Sequence, residues 1–315
     1  MAPGTGAQGF IGAAIEVTSG TYVAPTHYIP IESESVQWVQ DTVWRRPIRQ
    51  SADIIGAVPG NGRVEGDLSM EAFENIVALF LRCGRTTTVK SGTTPNFTYV
   101  FTGSPNATPN KTLSLTVVRN GIVFGYTGMV MGSCSFTIED GLLKFNPTML
   151  GRDEATQSLP TAAWATGIQS NPYGAGMYKI EIPTATQVFD SDGFDLSIDD
   201  GAEAQYRLKD TSRGAQFISF GERSVTLNLE RDFETRAQFD VFKNLTAAGV
   251  TLIATKGTNN NITFEIPAAI IDTYEMSMGG QGELLRATTT YNGVLDPVGN
   301  AYKITVKTQE DLAVP

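Results

Sequence analysis

Residue types that commonly perform catalysis or bind metals are scarce in this chain of 315 residues. The single histidine, His27, lies in a Pro- and Thr-rich turn without a nearby carboxylate or cysteine, and no G-x-S-x-G motif is present. The two cysteines, Cys83 and Cys134, lie among apolar neighbours, which indicates buried, reduced thiols. One histidine and two distant cysteines cannot readily supply four zinc ligands. The sequence therefore predicts an exposed loop histidine, no catalytic residues, no metal site, no cofactor and no enzymatic activity.

The densest group of carboxylates is the stretch DSDGFDLSIDDG, from Asp190 to Gly201. An EF-hand calcium loop carries an acid at its fifth place, glycine at its sixth and glutamate at its twelfth. Counted from Asp190, these places hold Phe194, Asp195 and Gly201, so the stretch does not fit a calcium loop. Apolar and polar residues alternate along its second half, which instead predicts a strand with an acidic, solvated face.

Composition and charge describe a folded, acidic protein. The apolar fraction of 41% and the charged fraction of 18% are typical of globular chains. A formal net charge of −10 disfavours non-specific binding to nucleic acid or to an anionic membrane surface. The N-terminus has no secretory signal pattern, and no apolar run approaches the roughly 20 residues that span a bilayer. We therefore predict folding in a reducing cytoplasm without membrane contact.

A strand pattern runs directly into a helix pattern at two places in the chain. In residues 63–84, a two-residue alternation gives way to an apolar stripe that begins at Phe73 and stops before Gly84. Residues 224–249 repeat this pattern. The second apolar stripe consists of Phe233, Ala237, Val241 and Leu245. Short alternating segments rich in Thr, Gly, Asn and Ser dominate the rest, so the predicted fold is mainly β (α+β).

The order strand, long excursion, strand, helix, strands occurs twice, about 160 residues apart. It predicts a first unit at residues 1–150, a linker rich in Pro, Gly and Ala at 151–183, and a second unit at 184–315. Sequence identity between the two halves is slight, so the order of predicted elements repeats although the amino-acid sequence does not. Two pseudo-repeated units are the prediction, and two unrelated α+β stretches are the open alternative.

The segment from Trp44 to Gly62 has no sustained period and contains two prolines and several glycines. A loop of this length inside a compact domain is usually either functional or disordered. Its apolar content is too high for a solvated linker, so we predict an arm that docks on another surface. The residues predicted to make this contact are Trp44, Arg45, Arg46, Ile48, Arg49, Ile54, Ile55 and Val58.

Several local patterns resemble one known family. The opening AAIEVTSGTYVAPTHYIPIESESV has an E-x-T-x-G-T turn, a short strand and a Ser/Glu-rich stretch. Residues 35–84 give a strand, a long loop, a G-R-V-E-G-D strand and an apolar helix ending in C-G, and a later Asn-Gly hairpin precedes GYTGMVMGSCSFTI. In these features the chain resembles the bacteriophage (siphovirus-type) major tail tube protein family. The resemblance covers the order of elements along most of the chain, whereas the shortest family members have a single unit.

The resemblance implies a tail-tube-type β-sandwich with a flanking helix, whose two units contribute strands to an inter-subunit β-barrel ring. Rings would stack into a hollow conduit for DNA ejection, in the tail of a virion assembled in the host bacterial cytoplasm. The implied partners are other copies of the chain, the tape measure protein and tail-end proteins, with DNA only as non-specific passing cargo. By the same similarity, residues 44–62 would reach the adjacent ring, with residues 202–222 as their counterpart.

A conduit for DNA needs a wall that neither pairs with phosphate nor presents sticky apolar groups. The alternation in the two acidic strands gives the candidate lumen-facing residues Glu65, Asp67, Asp195, Ser197 and Asp199. The face of a sheet does not by itself say which side is the bore, so a solvated outer surface is the open alternative. Single-unit members close a ring with six copies by resemblance, so two units per chain predict three chains in a pseudo-hexameric ring. Six chains with an outer second unit is the alternative.

Two other functional classes stay open at this level. A virion or surface β-sandwich adhesin that binds carbohydrate would use exposed aromatic residues, for which Tyr173, Tyr178 and Trp164 are the candidates. These three lie in the predicted linker, where packing against the sandwich explains them equally well. A hydrolase with an acid pair is the third class, and the sequence shows no pocket signature for it.

Overall fold

Antiparallel strands make up most of the backbone. A computed structural model describes residues 9–48, 53–164, 171–183, 185–208, 213–233, 235–277 and 284–312. The first half contains β1 (Phe10–Ile15), β2 (His27–Ile29), β3 (Ser33–Glu34), β4 (Gln37–Arg45), β5 (Gly56–Glu71), α1 (Glu74–Leu81), β6 (Thr86–Thr93), β7 (Asn96–Gly103), β8 (Leu113–Arg119), β9 (Ile122–Glu139), β10 (Leu142–Gly151) and β11 (Asp153–Thr156). The second half contains β12 (Tyr178–Glu181), β13 (Gln187–Val188), β14 (Ser191–Asp199), β15 (Ala202–Gln205), β16 (Phe217–Phe220), β17 (Ser224–Asp232), α2 (Ala237–Lys243), β18 (Ala248–Thr255), β19 (Asn261–Ser277), β20 (Arg286–Gly293) and β21 (Lys303–Thr308).

In each half, one long strand passes from one sheet into another. The first half of β9 lies in a sheet of order β2-β1-β8-β9-β11, and its second half lies in a sheet of order β4-β5-β10-β9. Strand β19 does the same in the second half of the chain. Its two sheets have the orders β13-β12-β18-β19-β21 and β14-β17-β20-β19. The two halves therefore have the same strand order.

The β-bulges of the two halves also coincide. The ladder of β9 and β10 shifts register between Thr148 and Met149, beside Ser133. The ladder of β19 and β20 shifts at the matching place, between Ile271 and Thr273. A second pair of matching shifts interrupts the β8–β9 and β18–β19 ladders. Since bulges are reproducible features of a fold, this agreement supports two copies of one topology; the residue limits of the two units stay a prediction.

Two pairings join the halves into a β-sandwich. Strand β14 pairs with β9, which creates one sheet of order β4-β5-β10-β9-β14-β17-β20-β19, called here the eight-strand sheet. Strand β21 pairs with β7, so the opposing sheet runs β13-β12-β18-β19-β21-β7-β6. The core lies between them, where the rings of Phe136 and Phe264 have centroids 4.5 Å apart. The mainly β fold predicted from the sequence is confirmed, and in the single chain the eight-strand sheet is open.

The two helices differ sharply in burial. All eight residues of α1 are buried, partly because the C-terminal segment packs over it: Arg82 donates to the carbonyl of Leu312, and Asn75 donates to Glu310 over 2.7 Å. No residue of α2 is buried. Of the apolar stripe predicted for the second helix, Val241 is half-buried and packs against the core, whereas Leu245 is 64% exposed and has a positive φ of 48°. Among the described residues, no segment covers α2 as the C-terminus covers α1.

The predicted loop at residues 44–62 is largely a β-hairpin. Strands β4 and β5 extend beyond the sandwich, with Arg45 opposite Gly56, so the loop itself is shorter than predicted. Pro59 and the glycines at positions 56, 60 and 62 interrupt the alternation of β5 and hide this part of the strand in the sequence. Glycine at position 62 lets the indole of Trp38 pack over the backbone of β5, because a Cβ there would lie 2.1 Å from Cζ2 of that ring.

Candidate assembly surfaces

The eight-strand sheet carries a continuous polar face on the side away from the core. Asp67 lies opposite Thr148, which lies opposite Ser133, which in turn lies opposite Asp199. The hydroxyl of Thr148 donates to Oδ1 of Asp67 over 2.7 Å. Two further rows of polar residues lie on the same face. The first contains Asn146, Ser135, Ser197, Thr226 and Asn292. The second contains Thr137, Asp195, Asn228, Thr290 and Thr273.

The basic groups on this polar face have acidic neighbours. Within the described part of the chain, Lys144 pairs with Glu32, and Nε of Arg63 lies 2.6 Å from Oε2 of Glu65. Arg286 contacts three carboxylates, those of Asp192, Glu230 and Asp232, at 2.6–3.5 Å. These pairings leave small polar groups and carboxylates as the dominant exposed chemistry of the face.

All five candidate lumen residues lie on this face. Asp67, Asp195, Ser197 and Asp199 lie in its open rows. Glu65 lies nearer one end, where its ladder partner Leu150 packs against the β15–β16 hairpin. That hairpin, part of the excursion 202–222, covers Val130 of its own chain, and its predicted role as a second arm stays a prediction. Whether the polar face lines a bore is likewise a prediction at this point.

The β4–β5 hairpin exposes a group of apolar side chains. Trp44 is 56% exposed, Ile54 48% and Val58 43%. The other described members of the predicted arm, Arg45, Arg46, Ile48 and Ile55, are also exposed, and Arg49 lies outside the described residues. Several exposed apolar side chains on one projecting hairpin are typical of a protein interaction surface.

The eight-strand sheet ends in two unpaired edges. Among the residues that the structure describes, β4 pairs with β5 alone, and residues 270–277 of β19 pair with β20 alone. Free N–H and C=O groups on such an edge can pair with a strand from another chain. The free edges of the eight-strand sheet therefore allow copies of this chain to join by strand pairing.

The predicted absence of a carboxylate near His27 is wrong. His27 lies on β2, not in a loop, and its Nε2 is 3.1 Å from Oε1 of Glu310, which the chain reaches only near its C-terminus. The hydrogen bond from His27, opposed by burial and supported by Asn75, lowers the pKa of Glu310. Thr26 contacts the other ring nitrogen at 2.8 Å. The pair fastens the C-terminal segment to β2, which is a structural role.

The thiols and acidic groups show no arrangement for chemistry. Cys83 and Cys134 are buried and free, and burial raises the pKa of Cys83 to about 12, so both stay protonated. The acidic stretch forms β14, whose Phe194, Leu196 and Ile198 are buried as predicted. Across the described ranges, no cluster of three His, Cys, Asp or Glu side chains is placed to hold a metal ion. Nor does any helix there have the length and apolar character of a membrane span.

The aromatic residues proposed for carbohydrate binding do not form an exposed platform. Tyr173 is completely buried, and Tyr178 is half-buried with its hydroxyl donating to the carbonyl of Gly141 over 3.1 Å. Trp164 is about half exposed and packs near Tyr28, with ring centroids 6.2 Å apart. Packing against the sandwich accounts for all three.

The fold is that of a mainly β structural protein with three surfaces suited to assembly. These are the polar face of the eight-strand sheet, the two open edges of that sheet and the exposed apolar residues of the β4–β5 hairpin. A family model described as phage tail tube protein matches residues 6–293, so the chain belongs to the phage tail tube protein family. It is a structural component of the virion tail, and its family implies self-assembly into a tube. No curated protein matches the chain.

Proposed function

We propose that three copies of this chain close into a ring, and that rings stack into a hollow tube through which DNA is ejected. The observation that carries this proposal is the eight-strand sheet, which combines a small-polar and acidic face with two unpaired edges. Its two four-strand halves, within the units 1–150 and 184–315, act as two wedges of the wall. The chain contributes no catalytic chemistry and needs no cofactor.

The size of such a barrel suits a conduit. Three eight-strand sheets supply about 24 strands, and a barrel grows roughly linearly with strand number. At a spacing of roughly 4.8 Å and a tilt of roughly 40°, opposite backbones lie roughly 50 Å apart. After side chains are added, this leaves a wide aqueous bore. The polar face lines it, and the apolar sandwich core and α1 lie outside.

The remaining surfaces serve contacts between rings and with other proteins. The β4–β5 hairpin extends from the wall with its apolar tip exposed, so it contacts the adjacent ring. Assembly takes place in the cytoplasm of the host bacterium. There the tape measure protein and the tail-end proteins are the other partners, and DNA is only passing cargo.

Electron microscopy of the purified protein tests this proposal. The expected result is rings or tubes whose averaged end view shows threefold symmetry with a pseudo-sixfold appearance, because each chain carries two similar wedges. Six copies of the chain around the bore, with residues 184–315 outside the wall, would contradict the three-chain ring. Discrete monomers at all concentrations would favour the adhesin class instead.

Charge reversal on the polar face tests its position in the bore. Tubes of the variant Asp67→Lys/Asp195→Lys are expected to retain short duplex DNA at low salt, because lysines on the wall pair with phosphates. Retention, measured by co-sedimentation with the tubes, should fall steeply as salt is raised. The matched variant Glu222→Lys/Asp240→Lys adds the same charge at exposed positions off this face and should retain little DNA. Equal retention by both variants would place the polar face outside the bore.

A further inference from the structure

The eight-strand sheet already contains one junction between two equivalent units. At this internal seam, β14 pairs with β9, with Leu196 opposite Phe136 and Ile198 opposite Cys134. The amide of Asp200 extends the ladder by donating to the carbonyl of Gly132 over 3.0 Å. The seam therefore joins β9, an edge strand of the four-strand half β4-β5-β10-β9, to β14, an edge strand of the half β14-β17-β20-β19.

The same two strand positions recur at the two edges of the sheet, where no other described strand pairs with them. Trp38 of β4 lies opposite Val64 of β5, as Ile198 of β14 lies opposite Val225 of β17. Tyr274 of β19 comes two residues beyond the bulge at position 272, as Cys134 of β9 comes two residues beyond the bulge at position 132. In strand order and register, β4 thus corresponds to β14, and the second half of β19 corresponds to β9.

We propose that the free edge of β19 binds β4 of a second copy of the chain in the register of the internal seam. Trp38 of one copy then lies opposite Tyr274 of the next, with Gln37 opposite Glu275 and Gln40 opposite Asp272. This inference rests on the proposed ring, and it specifies which strands close that ring and with which residues in contact.

Among the described residues, the backbone groups of Trp38 and Gln40 on β4 have no hydrogen-bond partner and are available for this pairing. Ser35 donates to Asp67 on β5 over 3.0 Å, and the groups of an antiparallel strand alternate in direction, so those of Val36, Trp38 and Gln40 point away from β5. Both groups of Val36 already have partners, because its carbonyl accepts from Nη2 of Arg119 over 2.6 Å and its amide donates to Oε2 of Glu34 over 3.1 Å. The intermolecular ladder therefore runs outward from Trp38 through Gln40.

The side chains across the proposed seam are complementary. Tyr274 stacks on Phe242 of α2 with centroids 6.1 Å apart, and Phe239 lies 5.7 Å from Tyr274, in a cluster that stays half-exposed in one chain. Trp38 of the next copy would extend this cluster, and aromatic cross-strand pairs stabilise antiparallel sheets. On the other face, Gln37 and Glu275 add polar groups that match the rest of the polar face.

Disulfide trapping in assembled tubes tests the register. Gln37→Cys/Glu275→Cys places two thiols at opposite positions without backbone hydrogen bonds between them, where Cα atoms are about 4.5 Å apart and a disulfide fits. Mild oxidation should convert most chains into covalent trimers in denaturing gels. The diagonal variant Gln37→Cys/Thr273→Cys, with Cα atoms roughly 7–8 Å apart, should stay monomeric, as should each single variant.

Microscopy of the same samples separates the two proposals. Tubes that do not cross-link, or that cross-link through the diagonal pair, would overturn this register while leaving the ring intact. Absence of rings from the wild-type protein would overturn the ring itself, and the seam with it. Thermal unfolding of the two double variants, compared with that of the wild type, checks that both variants fold. Both are expected to fold, because all three positions are exposed residues on the edges of the sheet.

Discussion

Replacing Lys256 with methionine is expected to lower the free energy of unfolding by about 3–5 kcal/mol, because it leaves a buried carboxylate without its cation. Nζ of Lys256 lies 2.9 Å from Oε2 of Glu74, and the two side chains are 5% and 1% exposed. The ammonium also donates to the carbonyl of Asn171 over 2.6 Å and lies 4.7 Å from the ring centre of Tyr173. Methionine keeps most of the side-chain volume of lysine, so the loss of stability reports the removal of the positive charge.

The position of this ion pair explains its importance. Glu74 begins α1 in the first half, Lys256 follows β18 in the second half, and Tyr173 comes from the segment between them. Burial, with the nearby charge of Glu74, raises the pKa of Tyr173, so its phenol stays neutral beside the pair. One buried contact therefore fastens both halves and the connecting segment, and its loss should destabilise the whole sandwich.

Chemical denaturation of a small set of variants checks this expectation. Lys256→Met/Glu74→Met should recover much of the stability, because replacing a buried ion pair with apolar groups is often close to neutral. Arg236→Met breaks the exposed pair with Asp240 on α2 and should cost no more than about 0.5 kcal/mol. A loss below about 1 kcal/mol for Lys256→Met would show that the pair is dispensable.

Local alternation was sufficient to predict the polar face, because each strand fixes the direction of its own side chains. Asp195, Ser197 and Asp199 alternate with buried residues on β14, and Asp67 alternates with Leu68 on β5. The pairing of β14 with β9 then brings these strands into one sheet. That pairing depends on contacts between residues about 60 positions apart, which no local pattern encodes.

The predictions that were wrong also concern contacts between distant parts of the chain. Phe233 to Leu245 has the spacing of a core helix, yet burial of a helix depends on what packs over it, and the C-terminus covers only α1. The partner of His27 comes from the other end of the chain. Strand β9 is a further case, because Gly128 with its positive φ interrupts the alternation where the strand changes sheets, so the sequence pattern does not show one continuous strand there.

Replacing both Ile54 and Ile55 with aspartate is expected to suppress tube growth at concentrations where the wild type assembles, while leaving the fold and the rings intact. Both side chains are exposed in the single chain, at 48% and 38%, so the sandwich core loses nothing. Between stacked rings they would be buried, and burying an isoleucine contributes about 1.5–3 kcal/mol. Two unpartnered carboxylates in that contact add a further penalty. The critical concentration for tube formation should rise at least about a hundredfold, since every 1.4 kcal/mol changes an equilibrium tenfold.

Sedimentation of tubes over a range of protein concentrations, with microscopy of the supernatant, measures this effect. The matched control is Leu295→Asp/Val298→Asp, which places the same charges on exposed apolar residues of the turn between β20 and β21, at 72% and 83% exposure. This control should grow tubes at the wild-type concentration, because the turn lies outside the arm. Single rings in the Ile54/Ile55 supernatant would show that ring closure and stacking use separate surfaces, the sheet edges for one and the hairpin for the other. Long tubes from this double variant at the wild-type critical concentration would exclude the hairpin as the stacking contact.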